Sequence, residues 1–157
     1  MTDTAPAATG RIHEFTTQSG ADTIEVGRQL VHLLNPPQLL LLRGDLGAGK
    51  TTLVKGIVQA LDAAEPDEVT SPTFTLLHEY EGTRDGQPIR LYHLDVYRLE
   101  GERQLETLGI EELITPDALV LVEWGDKFKS IRKHATGEIL IASTGGDARK
   151  ITVTLKD

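Results

Sequence analysis

Residues 39–52 read LLLLRGDLGAGKTT, and this segment is the strongest indication of the fold class in the sequence. It opens with four consecutive leucines, a run without alternation that is typical of a strand covered on both faces in a parallel sheet. A glycine-rich turn, 44–49, comes next. The helix that follows carries apolar residues at helical spacing: Leu53, Ile57, Val58 and Leu61. The order of apolar strand, glycine turn and amphipathic helix predicts an α/β layered fold.

The glycine turn matches a phosphate-binding pattern. Residues 44–51, GDLGAGKT, satisfy G-x-x-x-x-G-K-[ST] in full. Glycines permit backbone angles that let the loop turn its N–H groups inward around a phosphate, and the helix that follows adds its positive N-terminal end. The alternative is an ordinary glycine turn with an exposed lysine. We predict cofactor contacts from nine residues: Gly44, Asp45, Leu46, Gly47, Ala48, Gly49, Lys50, Thr51 and Thr52.

Two side chains of this loop have chemical roles in the prediction. Lys50 can reach the β- and γ-phosphates of a nucleotide, and Thr51 offers a hydroxyl to Mg²⁺. A phosphate-bound Mg²⁺ usually needs an acid at the end of a neighbouring strand, and the chain offers two candidates. Glu123 ends the apolar run LVLV, whereas Asp95 ends the less regular segment IRLYHLD. The run before Glu123 predicts the more central strand, and one or both acids can serve.

The rest of the chain alternates between strand and helix patterns. We predict a helix with polar breaks over 102–114, a second central strand over 119–122 and a first short strand over 12–16. Two hairpins are predicted, one with a turn over 81–88 and one at the sheet edge around residues 145–147. The predicted architecture is therefore a three-layer P-loop NTPase-like fold, with a largely parallel central sheet and an antiparallel edge hairpin. Residues 1–10 are predicted to be a disordered tail and 11–157 a single P-loop domain.

Composition excludes several functional classes. The 16 basic and 24 acidic residues give a net charge of −8, which disfavours tight binding of tRNA by this chain alone. The absence of cysteine excludes disulfides and thiolate chemistry. We expect a cytoplasmic protein, because no secretory signal or membrane-length apolar run is visible. The five histidines lack metal-ligand spacing and are predicted to be surface or packing residues. His93 is the possible exception, because it is two residues from Asp95.

With these stretches placed, the chain resembles the TsaE (YjeE) family, small bacterial P-loop ATPases required for making threonylcarbamoyladenosine in tRNA. The resemblance covers about residues 19–155. It rests on four stretches in the right order: GDLGAGKTT at 44–52, SPTFTL at 71–76, YHLDVYRL at 92–99 and LVEW at 121–124. Residues 125–150 carry no such motif, so contacts to adenine and ribose are left open.

The resemblance implies a role for each matching position. ATP and Mg²⁺ would be the cofactors, with the phosphates wrapped by Leu46 to Thr51 and the metal held by Thr51 and Glu123. Asp95 would be the acid needed for hydrolysis, and together with Lys50 it is our predicted catalytic pair. Ser71 to Thr75 would be a switch-like loop. The implied partner is the TsaB–TsaD complex, which carries the modifying chemistry and would be reset between rounds by ATP turnover here.

The residues alone leave two further functional classes open. A small-molecule kinase of this fold would need an acceptor pocket and usually an arginine-bearing lid, but the arginines are few and scattered. A nucleotide-binding module without turnover would leave Asp95 without an evident task. The guanine-reading sequence N-K-x-D is absent, and no D-x-x-G follows a strand, which favours ATP over GTP. A regulatory ATPase that acts through protein contacts remains the leading prediction.

Overall fold

The computed structural model describes residues 10–45, 47–63, 69 and 77–156. The strands are β1 (Gly10–Thr17), β2 (Gln38–Arg43), β3 (Leu77–Arg84), β4 (Gln87–Asp95), β5 (Ala118–Glu123), β6 (Gly137–Gly145) and β7 (Ala148–Lys156). The α-helices are α1 (Gly20–Leu30), α2 (Lys50–Ala60), α3 (Glu102–Leu108), α4 (Ile110–Leu113) and α5 (Lys129–His134). A short 3₁₀-helix, Gly125–Lys127, follows β5.

The strands form one seven-stranded sheet in the order β1-β7-β6-β2-β5-β4-β3. The four central strands, β6, β2, β5 and β4, are parallel, and both flanks are antiparallel. The predicted fold class is confirmed, including the central positions of the two continuous apolar strands. Because β2 lies between β6 and β5, the loop after β2 is flanked by the carboxyl ends of both neighbours. Ligands of open α/β sheets bind in such a crevice.

Alternate residues of the central strands enter two separate apolar clusters, which produces three layers. On one face Leu40, Leu42 and Leu121 pack against α1 and α2. On the other face Leu39 and Val120 pack against α3, α4 and α5. Every residue of β5 is buried, as expected for a strand covered on both faces. Because α2 follows β2 after a short loop, the first residues of α2 lie at the carboxyl end of the sheet.

One predicted boundary is wrong, and one predicted helix is divided, each for a local reason. The hairpin turn predicted over 81–88 is only two residues long, because Asp85 and Gly86 both adopt positive φ angles (52° and 80°), as a type I′ turn requires. The helix predicted with breaks over 102–114 is divided at Gly109, whose φ of 64° ends α3 and begins α4.

The antiparallel flank at the β6 side is wider than the sequence predicted. The hairpin of β6 and β7 is present, but β1 pairs with β7 along its whole length and is the outermost strand. The edge hairpin is therefore β3–β4 on the opposite flank. Gly10, placed in the tail by the sequence, is the first residue of β1, and residues 1–9 lie outside the described ranges. Among the described helices, none has the length and apolarity to cross a membrane.

Candidate functional site

Close packing at Gly44 and a left-handed backbone angle at Gly49 shape the glycine loop. A Cβ on Gly44 would lie 2.6 Å from the carbonyl oxygen of Ile141, so the loop begins in direct contact with β6. Gly49 has a φ of 107°, a left-handed angle that favours glycine, and it is the N-cap of α2. Because glycine has no side chain to cap the helix, the first amides of α2 are available to an anion.

Lys50 ties this loop to the end of β5. It is the first residue of α2 and is only 8% exposed. Its Nζ donates a hydrogen bond to the Gly44 carbonyl oxygen at 2.7 Å and lies 3.4 Å from Oε1 of Glu123. A lysine stem has four rotatable carbons, so the ammonium can turn from these oxygens to a phosphate in the loop.

The two predicted acids lie side by side. Parallel pairing of β4 with β5 places Asp95 opposite Glu123, each at the last position of its strand. Both residues are 4% exposed. They line a cavity of about 560 Å³ with Thr51, Thr52 and Lys50. Side chains from β4, β5 and α2 therefore meet beside the glycine loop.

His93, which the sequence analysis set apart from the other histidines because it is close to Asp95, contacts one of the two acids. It is fully buried, and its Nε2 lies 2.6 Å from Oε2 of Glu123. The carboxylate has no hydrogen to offer, so Nε2 is the donor. Its spacing of two from Asp95 was the available signal, because alternate residues of a strand share a face.

The charge of Glu123 is set by competing effects. Burial raises the pKa of its carboxyl group, but the hydrogen bond from His93, the charge of His93 and the ammonium of Lys50 together lower it by more. The net result is a pKa below the ordinary glutamate value. Glu123 is therefore an anion at neutral pH, which is the state that a metal ligand requires.

Trp124 lies at the mouth of the site rather than in the core. It directly follows the end of β5 and is 40% exposed. Its φ of 65° is left-handed, a conformation that costs a non-glycine residue about 1–3 kcal/mol. The ring centroid is 4.9 Å from that of Tyr97 and 5.4 Å from Nζ of Lys50. Its fluorescence should therefore report events at the loop.

A second cavity, of about 610 Å³, lies on the other side of the loop. It shares Gly47, Lys50 and Trp124 with the first cavity and is closed by β6 residues and by Arg149 of β7. Sequence reasoning did not single out Arg149. The glycine loop therefore contributes to the lining of both cavities.

The arrangement fits a nucleotide phosphate with Mg²⁺. In the described part of the chain, no three His, Asp or Glu residues are grouped closely enough to hold a metal by themselves. Mg²⁺ commonly uses one or two carboxylates and completes its shell with phosphate oxygens and water. Glu123 and the Thr51 hydroxyl would supply the protein ligands. Leu46 and the segment 71–75 lie outside the described residues, so their predicted roles stay predictions.

Comparison with known proteins agrees with the resemblance seen in the motifs. The family model described as "Threonylcarbamoyl adenosine biosynthesis protein TsaE" matches residues 17–151. The chain belongs to the TsaE family. That TsaE match includes the glycine loop, both acids, His93 and Arg149.

Individual TsaE relatives match most of the chain. The "tRNA threonylcarbamoyladenosine biosynthesis protein TsaE" of Bacillus subtilis is 37% identical over 141 residues, covering 90% of this chain and 84% of the relative. The Treponema pallidum protein of the same name is 36% identical over 137 residues, covering 87% and 96%. The crystal structure of Bacillus YdiB superposes with a TM-score of 0.66 at 30% identity, covering 94% of this chain and 88% of that one.

Proposed function

We propose that this TsaE-family protein binds ATP with Mg²⁺ at the glycine loop and hydrolyses it. One observation carries the proposal. Lys50, Thr51, Asp95 and Glu123 come from three separate elements and line a single cavity beside a loop whose backbone suits an anion. A structural glycine turn would not need a buried lysine together with two buried carboxylates.

Each side chain has a distinct task in this proposal. Lys50 and the first amides of α2 bind the phosphates, which also holds the scissile group in place. Thr51 and Glu123 hold Mg²⁺, which supplies positive charge that offsets the charge developing on the phosphate oxygens. His93 orients the Glu123 carboxylate through its 2.6 Å hydrogen bond.

Asp95 has the position of a water-orienting acid. It is 4% exposed and lines the same cavity as Thr51, on the side of the loop where Glu123 would hold the metal. Its Oδ1 accepts a hydrogen bond from the Tyr97 amide at 2.9 Å, which limits how the carboxylate can rotate. A carboxylate fixed in this way can accept a hydrogen bond from the attacking water and align it with the γ-phosphate.

We further propose that ATP turnover drives a cytoplasmic protein switch in tRNA threonylcarbamoyladenosine formation. The relatives' names place them in that biosynthesis. The net charge of −8 disfavours direct binding of tRNA, so in this proposal a partner protein carries out the tRNA modification. The family resemblance suggests the TsaB–TsaD complex, reset between rounds by hydrolysis. A nucleotide can drive this cycle only if partner affinity differs between the ATP and ADP forms.

Two experiments test these proposals separately. Equilibrium dialysis of the purified chain with ATP or GTP, each with and without Mg²⁺, tests the site. We expect Mg²⁺-dependent binding that favours ATP, and no binding of either nucleotide would refute the site. Pull-down of TsaB–TsaD with a slowly hydrolysed ATP analogue, with ADP and without nucleotide tests the switch. Equal recovery in all three would contradict it.

A further inference from the structure

Arg149 is bound to the outer side of the glycine loop. A loop that turns its N–H groups toward a phosphate turns the attached carbonyl groups outward, and these need donors of their own. The guanidinium of Arg149 supplies them. Its Nε donates to the Ala48 carbonyl oxygen at 2.6 Å, and one terminal nitrogen donates to that of Gly47 at 3.3 Å.

The same guanidinium holds the turn between β6 and β7. Its other terminal nitrogen donates to the carbonyl oxygens of Gly146, at 2.7 Å, and Ala148, at 2.8 Å. The Ser143 hydroxyl lies 3.4 Å from that nitrogen. Loop and turn are about a hundred residues apart in sequence, and one planar fork of donors joins them. A lysine ammonium has no such fork and cannot reproduce this set of contacts.

The partners of Arg149 differ from those of Arg43 and Arg90, whereas Arg84 likewise donates to neutral oxygens. Arg43 and Arg90 form ion pairs with carboxylates. In the described ranges, the hydrogen-bond partners of Arg149 are neutral oxygens, four carbonyls and one hydroxyl. Its positive charge is therefore not offset by a bonded carboxylate there. An ordinary structural ion pair does not explain this arginine.

We propose that Arg149 is a positioning residue that holds the glycine loop in its anion-binding shape before a ligand arrives. This inference rests on the proposed function of the loop. Arg149 acts on the backbone at Gly47 and Ala48, the part of the loop that would surround the phosphates. Binding to a loop that is already ordered loses less conformational entropy. Removal of Arg149 should therefore weaken every ligand that uses the loop by a similar factor.

The test compares Arg149→Ala and Arg149→Lys with wild type by calorimetric titration of ATP, ADP and inorganic pyrophosphate. Arg90→Ala is the matched control, since Arg90 is also a strand arginine with several partners but lies outside both cavities. We expect about a 10- to 100-fold loss of affinity, similar for all three ligands, in both Arg149 variants. Arg149→Lys keeps the positive charge, so it tests the planar set of guanidinium donors alone. It also replaces Arg149→Ala in the comparison if that variant does not fold.

Amide hydrogen exchange supplies a readout that needs no ligand. We expect faster exchange at residues 47–50 in the Arg149 variants, with a thermal midpoint close to that of Arg90→Ala. Wild-type affinities or unchanged loop exchange would overturn the inference. Loss of ATP and ADP binding with unchanged pyrophosphate binding would also overturn it, because Arg149 would then contact the nucleoside. Failure of the wild type to bind any ligand refutes the proposed function, whereas the exchange measurement still decides whether Arg149 orders the loop.

Discussion

Replacement of Lys50 by methionine tests the site most informatively, because it removes the charge and keeps the stem. Lys50 is only 8% exposed, so its contact with a bound phosphate would be weakly screened by solvent. A charge-assisted contact of this kind contributes about 1.5–3 kcal/mol. We therefore expect the Kd for ATP to rise roughly 10- to 100-fold.

The same substitution should destabilise the protein without ligand. Lys50 lies 3.4 Å from Glu123, whose side chain is 6% exposed, and removal of one partner of a buried pair costs about 3–5 kcal/mol. The hydrogen bond from His93 remains, so we expect the lower end, about 3 kcal/mol. That loss lowers the thermal midpoint of a chain of this size by roughly 6–12 °C. The double variant Lys50→Met/Glu123→Gln should be less destabilised than Lys50→Met alone, because no unpaired carboxylate remains.

Calorimetric titration is the appropriate assay. Fluorescence of Trp124, the sole tryptophan, is unsuitable for this variant because Lys50 is 5.4 Å from the ring and its loss alters the signal. Titrations are run below the lowered thermal midpoint, so that unfolding does not imitate lost binding. Wild-type ATP affinity in folded Lys50→Met would refute the assignment of the loop. A double variant as unstable as the sum of the singles would refute the coupling to Glu123.

Three more substitutions or conditions give independent checks. Asp95→Asn should bind ATP almost normally and slow hydrolysis by about 100-fold or more in single-turnover kinetics, and normal turnover would remove Asp95 from the reaction. His93 and Lys50 lower the pKa of Glu123, so its stabilising contribution is complete above the unfolded value of about 4.3 and is lost as pH falls through the lower folded value. Urea unfolding from roughly pH 6 to roughly pH 3 should show this loss. Glu123→Gln should make the free energy of unfolding depend less steeply on pH. Gly44→Ala places a methyl group 2.6 Å from a β6 carbonyl oxygen and should cost about 1–3 kcal/mol in urea unfolding, whereas Gly101→Ala meets nothing within 4 Å and should not.

Local patterns explain what could be predicted from the sequence. The glycine loop, Lys50 and Thr51 form one continuous motif, and the two acids follow strands that periodicity identifies. These features depend on a few neighbouring residues and on the rule that parallel strands end at a common edge. The two-residue turn at Asp85 was also within reach, because Asp-Gly between two strand patterns is a strong hairpin signal.

The remaining features depend on pairings between distant segments. His93 contacts Glu123 only because the β4–β5 register brings together residues 30 positions apart. Arg149 reaches the glycine loop because the β6–β7 hairpin folds back beside it, across 101 residues to Ala48. The pairing of β1 with β7 joins the two ends of the chain. No local composition or spacing determines which strands become neighbours, so these contacts required the structure.

The most direct test of the account is the rate of ADP release from ATP by the purified protein, measured with and without TsaB–TsaD. Asp95→Asn is assayed in parallel, to separate turnover at this site from a contaminating activity. We expect Mg²⁺-dependent hydrolysis that the partner complex stimulates and that Asp95→Asn loses. Absence of hydrolysis under both conditions, or an equal rate in the Asp95→Asn protein, would contradict it.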